Sequence, residues 1–176
     1  MNQLSHDWFD RPLPDNVVIG EGSWLYSSFA FLHCQSRRPQ AVRIGAHSGV
    51  YHTSFFELGP DAEVEIGDYC SIVGAVIHTN GRVSIRDYAF VAHEVTIASS
   101  PYATPGRWPK TDPEIVIGRN AWVGARAMLL GGARLGEGAI VGAAAVVDFE
   151  VPPFAIVAGN PGAIVGWARP KHRGEG

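Results

Sequence analysis

Residues 117–146 read IGRNAW, VGARAM, LLGGAR, LGEGAI, VGAAAV, and these five blocks decide the fold. An aliphatic residue opens each block: Ile117, Val123, Leu129, Leu135 and Val141, with Val147 next in line. Gly usually follows it, and Ala fills the fifth place throughout. A helix needs apolar residues three or four apart, and a half-buried strand needs alternation. Period six fits neither. It fits a short strand and a tight turn, repeated. Three blocks then make one triangular coil, and stacked coils pair as parallel strands. The aliphatic residue points into the prism, and the small fifth residue fits near the corner. Gly or Asn in the turn accepts a positive φ at low cost. The fold class is therefore all-β: a left-handed parallel β-helix of hexapeptide repeats.

The same phase extends towards the N-terminus. It appears in IRDYAF, VAHEVT and IASSPY from Ile85, Val91 and Ile97, and in IGDYCS and IVGAVI from Ile66 and Ile72. IGAHSG and VYHTSF continue it from Ile44 and Val50, and IGEGSW and LYSSFA from Ile19 and Leu25. The phase slips by one around Leu58 and again between His78 and Ile85, and residues 31–43 lose it, as a loosened early coil would. This predicts one domain over 1–176. Regular coils fill about 17–151. A long excursion loop covers 99–114 (SSPYATPGRWPKTDPE), and a cap and tail follow from 152. Pro152 and Pro153 are expected to stop the coil. A loop that long leaving a regular solenoid is uncommon and often functional.

Composition agrees with short strands and many turns: 21 Gly and 12 Pro in 176 residues, with only 18% charged. A net charge of -3 gives no electrostatic footprint for nucleic acid. No apolar run is long enough for membrane insertion. The N-terminus lacks a basic n-region and an apolar h-region, so no signal peptide is read. Two cysteines, Cys34 and Cys70, form no disulfide framework, which points to a reducing, cytoplasmic setting.

The run from Glu114 to Val165, with IGRNAWVGARAML, the VPP turn and VAGNP as its most specific pieces, resembles the C-terminal half of the hexapeptide-repeat acetyltransferases. The galactoside, maltose and colanic-acid O-acetyltransferases share this layout, and the resemblance covers about 64–166. It implies a homotrimer, with acetyl-CoA lying between neighbouring β-helices. It also implies a sugar-like small-molecule acceptor whose hydroxyl or amine takes the acetyl group. No resident metal is expected. The resembled O-acetyltransferases lead the excursion loop with a base histidine; here Ser100 precedes Pro101 at that place. Asp148 and Phe149 stand where a Thr-Lys pair is usual, and Gly162 and Ala163 follow the GNP, after which a basic residue two places on is usual.

A thioester needs a deprotonating partner for an incoming hydroxyl, and a His serves that role. With the loop His missing, the candidates are His93, in the turn of VAHEVT, and His78. The phase puts His78 at an inward position near the corner where the loop leaves; a turn histidine without chemistry is the plain alternative. His93 should face outward, and an exposed polar turn is its plain alternative. Ser99 and Ser100 could orient an acceptor, or form a simple Ser-Pro turn. Trp108 could stack on a sugar or adenine ring, or anchor the loop. Trp122 is expected to pack on the neighbouring coil or the loop. Gly124, Ala125, Gly142, Ala143 and Ala144 are the acetyl-CoA-side candidates, although corners need small residues anyway; Arg169 and Lys171 could supply charge. His47 and His52 read as surface residues of an early coil. Two other readings remain open: a non-catalytic β-helix, and a metalloenzyme like the γ-class carbonic anhydrases, for which His78 and His93 would be only two of three ligands.

Overall fold

A computed structural model describes residues 4–9, 11–99 and 114–168. Its strands form three sheets of seven, eight and five members, one per face of a left-handed parallel β-helix. The first face stacks β1 (Val17–Ile19), β3 (Val42–Ile44), β6 (Glu63–Ile66), β9 (Arg82–Ile85), β12 (Ile115–Ile117), β15 (Arg134–Leu135) and β18 (Glu150–Val151). The second stacks β2 (Trp24–Leu25), β4 (Gly49–Val50), β7 (Ser71–Ile72), β10 (Phe90–Val91), β13 (Trp122–Val123), β16 (Ile140–Val141), β19 (Ala155–Ala158) and β20 (Ala163–Trp167). The third stacks β5 (Phe55–Leu58), β8 (Val76–Thr79), β11 (Thr96–Ala98), β14 (Met128–Leu130) and β17 (Val146–Val147).

Register turns the six-residue phase into columns. Ile44, Ile66, Ile85, Ile117 and Leu135 pair in succession on the first face. Val50, Ile72, Val91, Val123 and Val141 do so on the second, and Phe56, Ile77, Ile97, Leu129 and Val147 on the third. All are buried, as are the fifth-place alanines Ala121, Ala127, Ala133, Ala139 and Ala145. Dispersion and burial along these columns hold the prism.

The turns are less permissive than the sequence suggests. The fourth place of a block takes a positive φ whether or not it is Gly or Asn: Asn120, Arg126 and Ala144 do so, as do Tyr69, Tyr88, Glu94, His47 and Thr53. Coil stacking dictates the backbone there, and local preference yields to it.

Two expectations are corrected. His78 is not inward; Ile77 fills the column, because the corner between Ile72 and Val76 holds three residues where its neighbours hold four. His78 therefore pairs with Ala98 instead of lying under Ile97. The coil also does not stop at Pro152 and Pro153: they turn a corner, and β19 pairs in parallel with β16. The chain then reverses, and β20 pairs antiparallel with β19. In the first coil the 3-10 helix Ser28–Phe31 takes the place of a third-face strand, and Phe31 stacks on Phe56 at 4.7 Å.

Val123 is completely buried. An unpaired carboxylate in that column costs several kcal/mol, roughly, against a total stability of about 5–15 kcal/mol. Val123→Asp is expected to abolish soluble expression or the cooperative melt; an unchanged thermal midpoint would contradict the column assignment.

Candidate functional site

The three faces differ on their outer sides. The first carries a charge ladder: Arg43 Nη1 lies 3.2 Å from Glu65 Oε1, Arg82 Nη2 3.1 Å from Glu65 Oε2, and Arg134 Nη2 3.1 Å from Glu114 Oε2. These pairs are partly exposed, and each adds little stability. The second face presents Phe90 and Trp122, stacked at 4.3 Å between ring centroids, so Trp122 packs on the neighbouring coil as expected.

The corner between the second and third faces gathers most of the candidates. Val91 and Thr96 bracket one turn, Val123 and Met128 the next, and Val141 and Val146 the third. His93, Ala125 and Ala143 are therefore stacked in successive coils, and so are Glu94, Arg126 and Ala144. Backbone bonds fix this register: Arg126 N–H donates to His93 O at 2.9 Å, and Ala144 N–H to Ala125 O at 2.9 Å. His93 is exposed, as expected. Beside it Arg126 Nε donates to Glu94 Oε2 at 2.6 Å. That hydrogen bond, with the charge of the guanidinium, holds the Glu94 carboxyl below its ordinary value. Above His93, apart from the exposed Arg126, the edge carries only small residues: Ala143 and Ala144 are exposed, and Ala125 and Gly142 half-buried. Gly124 has a structural explanation, since a Cβ there would meet Ala143 N at 2.6 Å.

His78 stands apart from this edge, on the outer side of the third face at the end where the chain leaves towards residue 100. Its Nδ1 lies 2.9 Å from Glu57 Oε2 on the adjacent strand, a carboxylate–imidazole pair with a fixed ring orientation. The structure thus separates the two histidines. Ser99 is turned into the prism, where its hydroxyl bonds that of Thr79, so it does not present itself to an acceptor. Gly162 is explained by packing, because a Cβ would crowd Val146 O, whereas Ala163, two places after the GNP where a basic residue is usual, is exposed. Ser100, Trp108, Arg169 and Lys171 lie outside the described residues. Among the described residues no group of three His, Cys, Asp or Glu could hold a metal ion, and no helix is long and apolar enough to cross a membrane.

Residues 114–148 match the family described as "Bacterial transferase hexapeptide (six repeats)". A chloramphenicol acetyltransferase of Agrobacterium fabrum is 32% identical over 147 residues, covering 72% of this chain and 67% of that protein. The chain belongs to the hexapeptide-repeat acetyltransferase family. Among its other relatives in that family, the galactoside O-acetyltransferase of Escherichia coli K12 is 25% identical, over 82% of this chain and 61% of its own length. The chain thus spans about two-thirds or less of these hexapeptide-repeat acetyltransferases. Among solved structures, an N-acyltransferase from Bacillus cereus in complex with dTDP and 3-hydroxybutyryl-CoA shares the fold, with a TM-score of 0.67 at 18% identity over 86% of this chain and 83% of that one.

Sequence reasoning missed a feature lower on the same edge. His52, read as a plain surface residue, lines a cleft with Trp8, Tyr26, Phe29, Tyr51 and Phe55. The signal was available: half of the eighteen aromatic residues precede Glu57. An N-terminal arm walls this cleft, and Asp7 pins it. The Asp7 carboxylate accepts from Ser27 Oγ at 2.6 Å, Ser28 N at 2.7 Å and Phe9 N at 3.0 Å. Burial pushes its pKa up, but these hydrogen bonds outweigh that and bring it from 3.8 to about 2. A depressed folded pKa stabilises above the unfolded value and loses that contribution as pH falls through the folded one. The Ser28 amide NMR resonance should therefore titrate near pH 2, with arm docking weakening between pH 3.8 and about 2. Asp7→Asn should show the undocked resonance already at neutral pH; an unchanged one would refute the pinning role.

Proposed function

We propose that the protein is an acyl-CoA-dependent acyltransferase, with acetyl-CoA as the donor, acting on a hydroxyl or amine of a small sugar-like acceptor. The observation that carries this reading is the alignment of the exposed His93 beneath the small residues Ala125, Gly142, Ala143 and Ala144 on one edge, where Arg126 is the long side chain and is held aside by Glu94. A thin pantetheine arm can lie against the backbone at Gly124–Ala125 and Gly142–Ala144, with its thioester end towards His93. The imidazole then takes the acceptor proton as the acceptor oxygen or nitrogen bonds the acyl carbon, and the carbon–sulfur bond breaks to release the CoA thiolate, which is then protonated. Glu94, kept ionised by Arg126, is an anion next to the ring that becomes positive in that step. The names of the relatives, a chloramphenicol and a galactoside acetyltransferase, support acetyl transfer.

A homotrimer completes the proposal. The half-exposed Trp122 and Met128 on the second and third faces, against the charged first face, support burial of those two faces between copies. A cytoplasmic location is supported by two free cysteines, Cys34 and Cys70, whose thiols burial pushes up and keeps unreactive. Light scattering is expected to give three times the 18.9 kDa chain mass; a monomer at micromolar concentration would contradict the trimer.

His93→Ala is expected to lower kcat by at least about 100-fold while leaving the CoA Kd, read by calorimetry, unchanged. If His78→Ala does so instead, the base is the Glu57-oriented histidine. Near wild-type turnover in both variants would sink the histidine-base mechanism.

A further inference from the structure

The aromatic cleft and His93 occupy one edge of the prism. His52 sits between Val50 and Phe55 as His93 sits between Val91 and Thr96, and the strands pair through a single intervening coil. His52 and His93 are thus two coils apart, about 10 Å along the axis. The intervening corner is the short one, Val73–Ala75. It offers no side chain longer than valine between the two rings, and Gly74 has no room for more, since a Cβ would meet Thr53 Oγ1 at 2.7 Å. The edge therefore runs without a bulky barrier from the cleft to His93.

The cleft measures about 140 Å³ and is walled by rings. Tyr26 and His52 meet edge-on at 4.8 Å, and Trp8 and Phe55 flank Phe29 at 5.3 Å each. Its small polar side chains are already engaged: Ser27 Oγ donates to Asp7, Thr53 Oγ1 to His52 O, and Ser54 Oγ accepts from Gly74 N. A polyhydroxylated ring would find few partners there. A flat aromatic ring finds several ring faces and edges.

We propose that this cleft binds a planar aryl group of the acceptor, so that the acceptor class is an aryl-bearing small molecule whose reacting hydroxyl or amine lies about 10 Å from its ring. The inference rests on the acyltransferase reading for the word acceptor, but its test needs no turnover. Calorimetry on the full chain would compare 4-nitrophenyl β-D-galactopyranoside with methyl β-D-galactopyranoside, which differ only in the aglycone. The aryl glycoside is expected to bind about tenfold tighter or better. Trp8→Ala and Tyr26→Ala, both at exposed side chains, should each erase that preference without altering the separately measured CoA Kd. Equal affinity for the two glycosides, or a preference that survives both variants, would overturn the proposal. So would a change of assembly mass in Trp8→Ala, which would make a second copy the occupant. Aryl preference with no CoA binding would keep the ring site and sink the acyltransferase reading instead.

Discussion

Every face of the prism must send one aliphatic side chain into an interior too narrow for water, once per six residues, in register with the coil beneath. Everything else in the molecule accommodates that requirement. Parallel ladders satisfy the backbone within each face, and the corners absorb the geometric conflict. This is why residues as bulky as Tyr69, Tyr88 and Arg126 adopt left-handed backbone conformations that they avoid elsewhere. Some of them gain from the arrangement: Tyr69 and Tyr88 stack at 5.1 Å, with Arg119 5.3 Å from the centroid of Tyr88.

The inward columns were legible because their chemistry is repetitive. Ile117, Val123 and Leu129 announce themselves by spacing alone, and each is buried where the spacing puts it. What failed was local. A single residue missing from the corner at Val73–Ala75 shifts Ile77 into the column and turns His78 outward onto Glu57. A period cannot reveal where within a coil such a deletion falls, since any of three corners could absorb it. Pro152 and Pro153 misled for a related reason. Proline ends a helix or a central strand, but β18 is the last strand of its face, so the bond that the Gly136 N–H gives to Val151 O one coil earlier has no counterpart to lose at Pro152.

The candidate site was half visible. His93 and the small residues above it could be named from the sequence, but their placement on one edge follows only from the register. The aromatic cleft was hidden because its members come from the arm, the first coil and the second, and a crowding of aromatics before Glu57 does not say which of them meet. Ser99 shows the opposite error: a residue next to a long loop suggests contact with a ligand, yet its hydroxyl is satisfied inside the prism by Thr79.

The reversal at the C-terminus has a bearing on how such a molecule changes over time. Because β20 runs antiparallel on β19, it closes the growing edge of the second face against a further parallel coil. The number of coils is then set by where this terminator sits, and not by any limit within the core. At this end, lengthening must come from duplication before the terminator, one coil at a time. Distances along the prism edge are therefore quantised: two sites on it can move apart only in whole rungs of about 4.8 Å. An evolving solenoid of this kind works as a ruler whose graduations are coils.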